Sequence, residues 1–164
     1  MSTELGISLA ELLAWNDEAA HKWKNHLEAN PALLVVACDI GNTGNVLGFV
    51  RHIWGGELRW ANRLAGLDSK DLATGPLDAL FAMHTEATDV FRSLIDGPEA
   101  AWAEPYVLDF DWVPEDKRRM SRRKIAVHTL FHGHRHYAQL ATLARTAGFP
   151  AQFRGDLLFS SALG

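Results

Sequence analysis

Apolar residues recur at the spacing of one helical face in four stretches of the chain. In the first, Leu9, Leu12, Leu13, Asn16, Ala20, Trp23 and Leu27 follow the i, i+3, i+4, i+7 rule of an amphipathic helix. Ser8 and Glu11 stand just ahead, a hydroxyl and a carboxylate three apart that can satisfy the free N–H groups of a first turn, so the helix begins there. Asn30-Pro31 closes it. Asn16 falls in the middle of the apolar face, and a buried amide must find partners, so it either bridges to another helix or lines a pocket.

Residues 31–44 are a connection rich in turn formers at Asp39-Ile-Gly-Asn-Thr-Gly. The second helix is expected from near Asn42–Gly44, through Val46, Phe49, Val50, Ile53, Trp60, Ala61 and Leu64, to near Gly66. His52 sits at the edge of this stripe, with Gly48 and Gly56 one turn to either side. Glycine inside a helix costs about 1 kcal/mol relative to alanine, so the pair suggests that space is wanted around the imidazole, for a ligand or for a close helix crossing. Glu57 lies near the centre of the same stripe, where a carboxylate needs a partner; Arg51 and Arg135 are the candidates.

After a polar connection over residues 67–75, Thr74-Gly75-Pro76 reads as a third helix start. Leu77, Leu80, Phe81, His84, Ala87, Thr88, Phe91 and Ile95 form its buried face, with His84 at the centre, expected to be a core histidine satisfied by hydrogen bonds. The periodicity then stops from Gly97-Pro98 to about Ser121. That interval contains an aromatic, β-branched run around Tyr106-Val107 suited to a short extended piece, and a connection this long crosses the core or covers a site. The last helix reads as apolar on nearly all sides and stops at Gly148-Phe149-Pro150. The tail Asp156-Leu-Leu-Phe is expected to pack back on the body. The pattern predicts an all-α fold, a four-helix bundle with a long connection before the last long helix, over a single domain spanning 1–164.

Composition narrows the function. With 48% apolar and 22% charged residues and a net charge of −4, the 164-residue chain is a globular protein with one substantial core. One cysteine, Cys38, excludes an internal disulfide and a cysteine-rich zinc site. The only basic cluster, Lys117-Arg118-Arg119 with Arg122-Arg123-Lys124, is read as a solvated linker, so no nucleic acid is expected as a partner. No apolar run reaches the ~20 residues that span a bilayer, and the start lacks a basic region followed by an apolar one. A cytoplasmic protein with no membrane partner is expected.

The chemistry concentrates in the last helix, where His128, His132, His134 and His136 fall within nine residues. Residues four apart share a helical face, so His128, His132 and His136 form one stripe while His134 points elsewhere. Ile125 and Leu143 flank the stripe and turn it inward. Imidazole nitrogens at i and i+4 can converge on one ion about 2.0–2.1 Å from each; core histidines held by hydrogen bonds are the alternative.

Three segments together resemble the DinB-like family of metal-binding four-helix-bundle proteins, related to mycothiol-dependent maleylpyruvate isomerase and to bacillithiol transferases. They are His52-Ile-Trp-Gly-Gly-Glu-Leu-Arg-Trp60, the helix from His128 through Gln139 to Gly148, and Gly155-Asp-Leu-Leu-Phe. The resemblance implies a divalent transition metal, whether zinc, nickel or iron, held by His52, His132 and His136, with His128 at a position often histidine in relatives without ligating. Many relatives read His-Arg-Gly-Gln where this chain has His136-Tyr137-Ala138-Gln139, which leaves no counterpart for that arginine. A homodimer is also implied. Three neutral imidazoles leave an ion with open positions, the arrangement of a catalytic site. The expected function is therefore a metal-dependent enzyme related to low-molecular-weight-thiol transferases or isomerases, with a small-molecule thiol and an electrophile as partners. Trp54, Trp60, Trp102 and Trp112 are candidate substrate contacts. The alternative is a non-catalytic, metal-containing stress-response or ligand-binding bundle.

Overall fold

Ser8 caps the first helix as its spacing with Glu11 requires: Glu11 N–H donates to Ser8 Oγ at 3.1 Å, and Ser8 N–H donates to Glu11 Oε2 at 2.8 Å. The computed structural model describes residues 6–68 and 71–163. The chain start, read above as lacking a leader, and two residues of the 67–75 connection lie outside them. Helix α1 spans Leu9–Ala29, α2 Val46–Ala65, α3 Leu77–Ile95 and α4 Arg122–Thr146. The start of α2 is set by Asn45, whose Oδ1 accepts from Gly48 N–H at 2.8 Å, slightly later than the turn formers suggested. Gly66 ends α2 in the left-handed region at φ 69°.

The four helices make an all-α bundle. Helix α2 packs against α3 and α4, and α1 packs against the same two, so α1 faces α2 across one diagonal and α3 faces α4 across the other. Both diagonal steps need a long connection. The first, residues 30–45, contains a two-residue ribbon, β1 Ala37–Cys38 on β2 Gly44–Asn45. The second, residues 96–121, contains the extended piece expected near Tyr106: β3 Pro105–Val107 pairs antiparallel with β4 Arg119–Ser121, drawing half of the basic cluster into a hairpin instead of a loose linker. No helix is long and apolar enough to cross a membrane among the described residues.

The core is lined by Leu13, Leu27, Phe49, Trp54, Phe91 and Leu140 among others, each almost wholly buried. Helix α4 is not apolar on all sides: Arg123, Arg135, Gln139 and Thr142 are exposed, and a single stripe through Ile125, Thr129, Gly133, His136, Leu140 and Ala144 is buried. The tail does return to the body, but not through the leucines expected to carry it, since Leu158 is 85% exposed. It is tied by polar bonds: Trp15 Nε1–H donates to the Gly155 carbonyl at 3.0 Å, and Ser160 Oγ–H donates to Glu18 Oε2 at 2.8 Å.

One polar seam crosses this core. Asn16 on α1 donates from Nδ2 to Glu57 Oε1 on α2 at 3.0 Å, and His84 Nδ1–H on α3 donates to Glu57 Oε2 at 2.7 Å. His84 Nε2–H donates to Asp17 Oδ1 at 3.0 Å, and Asp17 also receives Arg92 at 3.2 Å. Asn16 thus bridges two helices, and His84 is the satisfied core histidine expected. The partners of Glu57 differ from those proposed: Arg51 turns away to the carbonyls of Ala73 and Leu72, and His84 with Asn16 takes the carboxylate. Gly133 on α4 lets the seam close, because a Cβ there would lie 2.8 Å from Asn16 Oδ1 and 2.9 Å from Glu57 Oε1.

Candidate metal centre

Helices α2 and α4 pack side by side, and His52 projects from one towards His132 and His136 on the other. Ligand atoms of the three imidazoles all lie within 4.8 Å of one another. The ring centroids are 5.0 Å apart for His52 and His136, 5.7 Å for His52 and His132, and 4.2 Å for His132 and His136. The structure thus brings together the three residues expected from the sequence. His128 is exposed on the same face, one turn before His132, with its ring 5.7 Å from that of His132. His134 is directed away and stacks on Trp15 at 3.5 Å, as its wheel position requires.

The geometry prepares lone pairs. His136 Nδ1–H donates to Gln139 Oε1 at 2.6 Å, which places the proton on Nδ1 and leaves Nε2 as an acceptor. That Nε2 lies 3.1 Å from His132 Nε2. Two ligands about 2.0–2.1 Å from one tetrahedral ion would stand roughly 3.3 Å apart, so the pair already has chelate spacing. Burial, the adjoining His136 and the Arg135 guanidinium push the pKa of His132 down to about 3. Burial likewise lowers those of His52 and His136. The three rings are neutral at physiological pH, the form that ligates. Donor type, spacing and the tautomer of His136 fit a divalent transition metal.

A second cluster of ligating types, Asp17, His21 and His84, is equally close-set. Its chemistry is different. Burial opposes a charge on His84, but the carboxylates of Glu57 and Asp17 outweigh it and push the pKa up to about 9. His84 is therefore a cation with both N–H groups committed, and the cluster is an ion-pair chain.

A cleft of about 340 Å³ opens beside the histidines, bordered by His52, Gly56, Trp60, Phe110, His128 and His132. Of the two glycines around His52, Gly56 faces open space, whereas Gly48 serves a close approach: a Cβ there would lie 2.2 Å from the Thr43 carbonyl oxygen. Of the four tryptophans proposed to meet substrate, Trp60 and Trp112 border the cleft. Trp54 is buried and donates from Nε1 to Tyr137 Oη at 3.0 Å, and Trp102 belongs to the core. Sequence reasoning assigned no role to Gln139, Gly133, Asp17, Arg59 or Arg63. Gln139 was legible as a polar residue three positions beyond His136, on its face of the helix.

Fold and site together define a helical-bundle protein with a three-imidazole centre able to hold a metal ion. The chain belongs to the DinB family, whose model matches residues 1–153. No curated protein matches it.

Proposed function

We propose that His52, His132 and His136 bind one divalent transition metal ion, and that the protein uses it as an enzyme transferring a low-molecular-weight thiol to an electrophile. The observation that carries this reading is the convergence of three neutral imidazoles on the edge of an open cleft, one of them held in its ligating tautomer by Gln139. A bound ion would supply an open coordination position that acidifies a thiol or polarises a carbonyl. The protein's part is placement. His52 and the His132–His136 pair hold the ion from two different helices, so its position depends on the packing of α2 on α4. Gln139 keeps His136 oriented. Trp60 and Phe110, meeting edge to face at 6.2 Å, wall the cleft and exclude water from one side of a bound substrate.

Elemental mass spectrometry on untagged protein and on the His132→Ala/His136→Ala variant tests the centre. Near one equivalent of metal in the wild type and none in the variant is expected. Thiol consumption with an electrophile panel, lost on chelation and restored by the same metal, is expected of the enzyme. Stoichiometric metal with no turnover for any thiol would leave the metal site standing and overturn the catalytic claim.

A further inference from the structure

Helix α2 carries more than one ligand toward the cleft. Arg59 and Arg63 lie seven and eleven residues beyond His52, within about 20° of it on the helical wheel, and both border the cleft. Neither forms an ion pair with a described residue. Arg63 instead lies over two aromatic faces, 5.1 Å from the Trp60 ring centroid and 4.8 Å from that of Phe110. Phe110 in turn stacks on Trp112 at 5.5 Å with 14° between the planes, and that indole is 77% exposed at the rim. Glu57, the one acid bordering the cleft among the described residues, is already taken by Asn16 and His84.

A half-buried guanidinium beside others of like charge, with no counter-ion, is an unfavourable arrangement in the free protein. Burial and the charges of Arg63 and Arg51 hold Arg59 below the usual arginine range. A planar fork of donors matches the paired oxygens of a carboxylate or a phosphate; the stacked rings beside it suit a flat, conjugated frame, and of the two anions the planar carboxylate is the one that continues such a frame. The volume of about 340 Å³ lies at the small end of ligand sites.

We propose that this cleft binds a small planar organic anion, its carboxylate on Arg59 and Arg63 and its conjugated frame against Trp60, Phe110 and Trp112. As a statement about substrate this rests on the histidine centre being a reaction centre. As a statement about binding it does not, and the two are tested separately.

Isothermal titration with 2-naphthoate and with its neutral isostere 2-naphthamide, on the full chain stripped of metal, is the test. Naphthoate is expected to bind at least tenfold tighter than the amide, with an affinity that falls as salt rises. The Arg59→Gln/Arg63→Gln variant, shown folded by its melting curve, is expected to bind naphthoate no better than the amide. Arg59→Lys/Arg63→Lys recovers part of the charge preference, which a fold defect would not. Because the titration uses metal-stripped protein, while the metal content of the untreated protein is read by elemental analysis, a failed metal centre and a failed anion site give different results. Equal affinity for acid and amide, indifference to the arginine substitutions, or anion binding only after zinc is added would each overturn the proposal.

Discussion

Replacing His84 with leucine removes the cation from the centre of the bundle, and the structure says how much that matters and at which pH. His84 is fully buried, between Glu57 at 2.7 Å and Asp17 at 3.0 Å, with the His21 ring 6.3 Å away and Arg92 on the far side of Asp17. Removing one member of a buried pair costs about 3–5 kcal/mol, because the other charge stays desolvated. In the variant Glu57 keeps only Asn16. The charge on His84 carries its own signature. Its pKa rises from an ordinary 6.5 to about 9 on folding, and about 2.5 units at 1.36 kcal/mol each give ~3 kcal/mol. A raised pKa on a base stabilises the fold fully below the unfolded value and ceases to do so as pH rises through the folded one. The gap in unfolding free energy between wild type and His84→Leu should therefore be widest at pH 6.5 and narrow by ~3 kcal/mol at pH 9.5. Urea denaturation in the presence of a chelator measures it without a contribution from bound metal. A gap of constant size across that window would show that His84 is not charged in the folded protein, and the ion-pair chain would have to be abandoned.

Three further substitutions test the packing and the centre. Gly133→Ala drives a methyl against Asn16 and Glu57, both fastened in the polar seam, and should lose about 1–2 kcal/mol net of its helix-propensity gain; Gly56→Ala, facing open space, should instead gain up to about 1 kcal/mol, and paired thermal melts separate the two. Gln139→Leu removes the acceptor that orients His136 and should weaken zinc about 10–100-fold in a competition titration while leaving the melting temperature of the metal-free protein nearly unchanged.

Periodicity was enough for the helices, because each buries one face and ends on a residue with its own local logic: Ser8, Asn45 and Ser121 cap the starts, and Gly66 ends α2. It could not say which helices touch. The placement of α1 opposite α2 follows from connections whose irregular chain has no period to read. The same limit explains the partner assigned to Glu57. Arg51 and Arg135 were reasonable by charge alone, whereas the true partner, His84, comes from a helix whose register against α2 is a tertiary fact. His52, His132 and His136 were reached through spacing and family resemblance together, the i, i+4 stripe alone leaving His128 as an equal choice. The arginines beyond His52 were legible on the wheel but carried no assigned role, since only the cleft beside them gives them meaning.

The bonds that fasten the tail to α1 have a kinetic consequence. Trp15 and Gly155 are 140 positions apart, and Glu18 and Ser161 are 143. Contacts between distant parts of a chain form only after a large loop has been closed, so they reward folding late. A few polar bonds with little apolar burial behind them also place a segment at the low end of local stability. The tail is thus the last part to settle and the first to lift. Its departure removes the wall that Gly155 and Asp156 give to the hollow lined by Trp15, Trp23, His134 and Phe153, a hollow to which the histidine centre contributes no residue.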